Sequence, residues 1–192
     1  LPCAYELRKR GAVMDQTYRQ RTGKIICYVI LVCLAALIQN TSGLSIEIGG
    51  ARCFLLLPVC MMIGIGEDER TAALIALFGG MLWDLSSAVH LGFNAIFMCI
   101  MCFFGAAFIT YILRNTFITN FIFSTLFILL YCFLYWLMFI IIKNVKGAEL
   151  SLFTFYIPSA IYTIAISPIV YAAIKSIKKK LYTPQNKLFA KQ

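Results

Sequence analysis

Six apolar runs, at about 25–44, 53–66, 71–89, 92–112, 118–142 and 152–174, are separated by short polar or glycine-bearing breaks. A helix needs about 20 apolar residues to cross a hydrocarbon core. Residues 92–112 and 118–142 meet that length, and 152–174 meets it with bends at Pro158 and Pro168. The other three runs are shorter. Residues 25–38 are strongly apolar for 14 positions before QNTSG, so this helix is predicted to continue with polar residues facing the bundle. Residues 53–66 are again 14 long, contain Pro58 and end at the turn GEDER. Residues 71–83 reach only about 20 Å at 1.5 Å per residue, short of a core about 30 Å thick. To span, that helix must carry Asp84 inward and continue towards Ala88; otherwise 53–66 and 71–83 form a re-entrant hairpin. The pattern predicts an all-α integral membrane protein, a bundle of six transmembrane helices, some short or re-entrant.

Composition removes the soluble alternative. Of 192 residues, 61% are hydrophobic and 13% charged, and the mean hydropathy is +0.86. No soluble domain of this length has interior enough to bury that much apolar sequence. The first run is not a removable signal peptide, since several comparable runs follow it. Met14, followed by DQTYRQRTGK, has the look of a translation start, with residues 1–13 an upstream extension.

The net charge of +9 is concentrated at the two ends. This divides the chain into a basic cytoplasmic segment at 1–24, a helical bundle at 25–174 and a basic cytoplasmic tail at 175–192. Basic clusters beside membrane spans act as cytoplasmic retention signals and contact anionic lipid. They lack interleaved aromatics, so nucleic acid is not the expected partner. Six spans place fourteen Lys and Arg on the side of the termini and three on the other. Both termini are therefore expected to be cytoplasmic. A re-entrant hairpin removes two spans and keeps the parity.

Candidate chemistry is sparse. Six of the eight cysteines lie inside apolar runs, where cysteine behaves as a small hydrophobe. Cys99 and Cys102 have CxxC spacing, but no second pair or nearby histidine completes a zinc set, and His90 is the only histidine. No metal or cofactor is expected. GIGED (64–68) approaches the motif of intramembrane aspartic proteases with one residue inserted. Asp68 and Asp84, however, are about 24 Å apart along a helix, too far to share a proton. No catalytic residue is expected, and the chain does not read as an enzyme.

Asp84 still needs an account. Counting back by fours gives Gly80, Ala76 and Ala72, so the carboxylate continues a stripe of small residues suited to close helix packing. A carboxylate at mid-bilayer costs about 2.5–3.5 kcal/mol on insertion scales, so Asp84 should face the bundle or its mouth. Two readings stand: a solvated residue at the outer helix end, or a buried cap. In the second, Asp84, Ser86 or Ser87 accepts backbone N–H bonds at the start of the next helix. Trp83, and Tyr135 with Trp136, suit an interfacial aromatic belt.

FGGMLWDLSSAVHLGFNAIFMCIMCFFGAAF (78–108) resembles the central signature of the rod shape-determining protein MreD family. That signature is a Gly-rich helix, a Gly-x-x-x-Asp step, a small-residue turn, then Leu-Gly, a small polar residue and a new apolar helix. Here it falls on Gly80, Asp84, Leu91, Gly92 and Asn94. AALIQNTSG (35–43) resembles the end of the family's first helix, and the six-run layout and basic ends also fit. The resemblance implies a non-enzymatic scaffold of the cell-wall elongation machinery in the bacterial inner membrane, and a fold like the S components of energy-coupling-factor transporters. It implies an MreC-like bitopic partner, and through it an MreB-like filament, a RodA-like glycosyltransferase and a penicillin-binding transpeptidase. The alternative is a transporter S component itself. Against that, the first helix lacks the Ala-x-x-x-Ala face by which S components often dock.

Overall fold

The computed structural model describes residues 2–41, 52–87, 92–113, 116–138 and 152–181. Among these, six α-helices follow one another: α1 (Pro2–Asn40), α2 (Leu56–Gly64), α3 (Glu69–Ser87), α4 (Phe93–Tyr111), α5 (Phe117–Trp136) and α6 (Ile157–Leu181). A π-helical turn, Leu152–Tyr156, leads into α6.

Four of the helical stretches are long and apolar enough to cross a membrane: Arg21–Asn40, Phe93–Tyr111, Phe117–Trp136 and Phe153–Leu181. The expectation of six spans is thus met by four. The 53–66 run yields a helix of nine residues, about 14 Å long at 1.5 Å per residue and far short of a span. The 71–89 run yields 19 residues, but these include Glu69, Arg70 and Asp84. Neither boundary of the sequence-based division interrupts a helix, because α1 runs through residue 24 and α6 through residue 175.

The short helix is the centre of the fold. Every residue of α2 is buried, and α2 packs against each of the other five helices. Leu56, Leu57, Cys60 and Ile63 have no accessible surface and pack with Val32 of α1 and Ile128 of α5. The outward faces are apolar as well. Leu74, Leu85, Ile96, Ile118, Ile161 and Ile169 are each at least 60% exposed. Large aliphatic side chains presented all round a bundle are a surface for lipid, not water.

A helix of nine residues at membrane depth has both ends to satisfy, since lipid supplies no hydrogen bonds. Side chains of the long helices do this. Gln39 of α1 accepts the Leu56 N–H through Oε1 at 2.8 Å. On α6, Ser159 accepts the Arg52 N–H at 3.1 Å and Thr163 the Phe54 N–H at 3.0 Å. At the other end, Lys178 Nζ donates to the carbonyls of Met62, Ile63 and Ile65. A cation at a helix C-terminus also meets the negative end of the helix dipole. Lys178, expected as a tail charge, therefore reaches back into the bundle. Replacing it with Met should leave those carbonyls orphaned and cost about 2 kcal/mol. The check is thermal unfolding of the purified variant, with exposed Lys179→Met as the neutral comparison.

Candidate functional site

The joint between α3 and α4 is built on the Asp84 carboxylate. Asp84 lies in the last turn of α3 and is buried. Its Oδ2 accepts the backbone N–H groups of Gly92 and Ala95, each at 3.0 Å, and Oδ1 accepts that of Asn94 at 3.3 Å. The first N–H groups of an α-helix have no partner within it. Here Gly92, at the N-cap of α4, has no side chain to offer, and a carboxylate from the preceding helix serves instead. Gly92 sits at φ +92°, a left-handed conformation that glycine adopts without strain. Negative charge is also favoured at a helix N-terminus by the dipole. Ser86 and Ser87 take no part in this cap, because their hydroxyls donate back to the carbonyls of Trp83 and Asp84.

The small-residue stripe meets two different neighbours. At Gly80, an added Cβ would lie 2.5 Å from Ala95 Cα and 2.7 Å from both Ala95 N and Asn94 O, so the backbones of α3 and α4 touch there. Ala72 and Ala76 are fully buried lower on α3, and Ala72 lies against Gly64 of α2. Gly79, which the four-residue count passes over, faces Cys60 of α2 and Val32 of α1. A helix presenting both Gly79 and Gly80 is approached from two sides. Leu91 and His90 lie outside the described residues.

Asn94 connects this joint to an aromatic cluster. Its Oδ1 accepts the Tyr131 hydroxyl of α5 at 2.8 Å, and both residues are buried. The Tyr131 ring lies 5.2 Å from Trp83, 5.6 Å from Phe54 and 5.8 Å from Tyr135, centroid to centroid. Trp83 is consequently not an interfacial anchor. It is 8% exposed and stacks inside the bundle. Tyr135 likewise turns inward against Phe93 and Tyr156. These rings wall a cavity of about 330 Å³ at the end of the bundle where α1 and α3 finish and α4 starts. Its rim carries Gln39, Asn40, Arg52, Ser86 and Ser87. Nothing in the apolar run 118–142 singles out Tyr131; only its position opposite Asn94 does.

Asp68, the other half of the excluded dyad, is at the far end of α3. It is exposed and pairs with Arg21 at 3.1 Å, an arrangement worth well under 1 kcal/mol in water. Beside it, the buried Tyr28 donates its hydroxyl to Glu67 at 2.7 Å, and the turn closes on Gly66 at φ +86°. The acidic turn is therefore a tether between α1 and the α2–α3 junction.

Comparison with curated proteins and with solved structures finds no match. A family model described as rod shape-determining protein MreD matches residues 19–180. That span includes the Gly80–Asp84 step, the α4 cap and all of the membrane-crossing stretches except the last residue of α6. The chain belongs to the rod shape-determining protein MreD family, and its part is in the determination of rod shape.

Proposed function

We propose that this protein is a non-enzymatic scaffold of the cell-wall elongation machinery, set in the bacterial inner membrane with both termini in the cytoplasm. Its work is to hold an MreC-like single-pass partner, and through that partner to bring a filament, a RodA-like glycosyltransferase and a penicillin-binding transpeptidase into one assembly. Family membership over residues 19–180 carries this reading. The construction of the bundle supports it. A buried α2 held at both ends and a capped α3–α4 joint give a rigid body, while large aliphatic side chains cover its outside. A rigid apolar exterior is what a partner's single helix needs, because helix association in lipid depends on close packing. Fourteen Lys and Arg on the side of the termini against three on the other support the orientation.

A mild-detergent pull-down of the tagged protein from its native membrane, followed by mass spectrometry, tests the reading. An MreC-like bitopic protein and wall-synthesis enzymes are expected among what is recovered. Recovery of paired ATPases with a membrane coupling subunit would overturn it in favour of a transporter component.

A further inference from the structure

The end of the bundle where α2 and α6 finish and α5 starts holds another cavity, of about 190 Å³. Met62, Ile65 and Ile174 give it apolar walls. Lys175 and Lys178 of α6 line it too, and no Asp or Glu is among its described lining residues. The two lysines play different parts. Lys178 Nζ already donates to three carbonyls at the end of α2, so it brings its charge and no further contact. Lys175 is exposed, and its Nζ lies 5.4 Å from the centre of the Tyr171 ring, which also lines the cavity. Among the described residues, no hydrogen bond or ion pair engages that ammonium. A ring face steadies a cation while leaving N–H groups on its other side. Lys24 and Glu67 stand near enough to act on Lys178, and Glu67 already accepts the Tyr28 hydroxyl. Three ammonium groups against one carboxylate leave the field positive.

Asn120 of α5 adds an acceptor to the same cavity. It is 2% exposed and has an interaction of its own. Its buried Oδ1, however, accepts no hydrogen bond among the described residues. A buried acceptor in that state is costly, and a bound donor relieves the cost. The helix faces beside the cavity are lipid-facing, with Ile118 of α5 65% and Ile169 of α6 69% exposed. Basic pockets between helices near a membrane surface take anionic headgroups. A zwitterionic headgroup would bring its own ammonium up to the lysines.

We propose that this cavity is a headgroup site for one anionic phospholipid of the phosphatidylglycerol kind. The phosphate meets Lys175 within the field of Lys178, a headgroup hydroxyl donates to Asn120 Oδ1, and the acyl chains run along α5 and α6. The site does not depend on how the outer surface engages protein partners.

The test is native mass spectrometry of the full chain in mild detergent, titrated with one phospholipid at a time. Phosphatidylglycerol is expected to bind more tightly than phosphatidylethanolamine. Phosphatidylmethanol, with the same charge and no headgroup hydroxyl, should bind about threefold more weakly than phosphatidylglycerol, the loss of one neutral hydrogen bond. Lys175→Gln should weaken phosphatidylglycerol binding about tenfold, the loss of one charge-assisted contact. Lys179→Gln removes the same charge from an exposed residue outside the cavity and should leave binding nearly unchanged. Both substitutions are on the surface, so folding is not at stake. Millimolar ammonium phosphate should fail to displace the lipid. Equal affinities for the three lipids, equal weakening by the two lysine variants, or displacement by free phosphate would overturn the proposal.

Discussion

Gly80→Ala is expected to disrupt the bundle out of proportion to the single methyl it adds. The new Cβ would sit 2.5–2.7 Å from three backbone atoms of Asn94 and Ala95, whereas carbon atoms settle at about 3.5–4.0 Å. Backbone cannot swing aside as a side chain can, so α4 must move about 1 Å from α3. That movement stretches the three bonds holding the start of α4 to Asp84. Overpacking of this kind costs about 3 kcal/mol or more, and Gly80→Leu should prevent folding outright. Two other glycines calibrate the measurement. An added methyl at Gly23 would meet nothing within 4 Å, so Gly23→Ala should be neutral or slightly stabilising. Gly105 meets only the flexible end of Met61, and Gly105→Ala should be mild. Thermal unfolding of the three purified alanine variants checks the order. Equal behaviour of Gly80→Ala and Gly23→Ala would show that the two backbones do not touch.

Asp84→Leu is expected to cost about as much by a different route. The substitution keeps the branched shape, though with bulkier methyl groups, and orphans the N–H groups of Gly92, Asn94 and Ala95 in a buried place. Each unpaired buried donor costs about 1–3 kcal/mol, so a total of roughly 3 kcal/mol or more is anticipated. Asp84→Asn separates acceptor geometry from charge. With its oxygen in the Oδ2 position, Asn retains the bonds from Gly92 and Ala95 and loses the one from Asn94. Its loss should be about a third to a half of that of Leu. The amide hydrogens of Asn94 and Ala95 report this locally: exchange should accelerate strongly in Asp84→Leu and moderately in Asp84→Asn. Equal acceleration would mean that the negative charge at the α4 N-terminus, rather than the hydrogen bonds, secures the joint.

Both effects act through the same geometry. Asp84 fixes the start of α4, the start of α4 places Asn94, and Asn94 holds Tyr131 of α5. A weakened α3–α4 joint therefore loosens three helices and the aromatic cavity together.

The all-helical class and the approximate positions of α2 to α6 were legible in the chain itself. The reasons are local. Apolar runs bounded by polar breaks mark helices in lipid, and residues four apart share a face whatever lies opposite. An aspartate with no cation near it in sequence had to find its partners inside the protein. Which partners it found was a matter of tertiary structure, because a carboxylate can be satisfied by water, a side chain or backbone N–H groups alike. The same holds for α2. Its shortness and Pro58 were visible, but Gln39, Ser159, Thr163 and Lys178 are distant in sequence, up to 116 residues from the groups they bind. Period and composition describe one helix at a time. They cannot say which polar side chain of one long helix reaches the end of a short one, or that Trp83 and Tyr135 turn inward to wall a cavity rather than outward to an interface. Those choices were made by packing six helices together, where each buried polar group had to be satisfied by whatever the fold brought beside it.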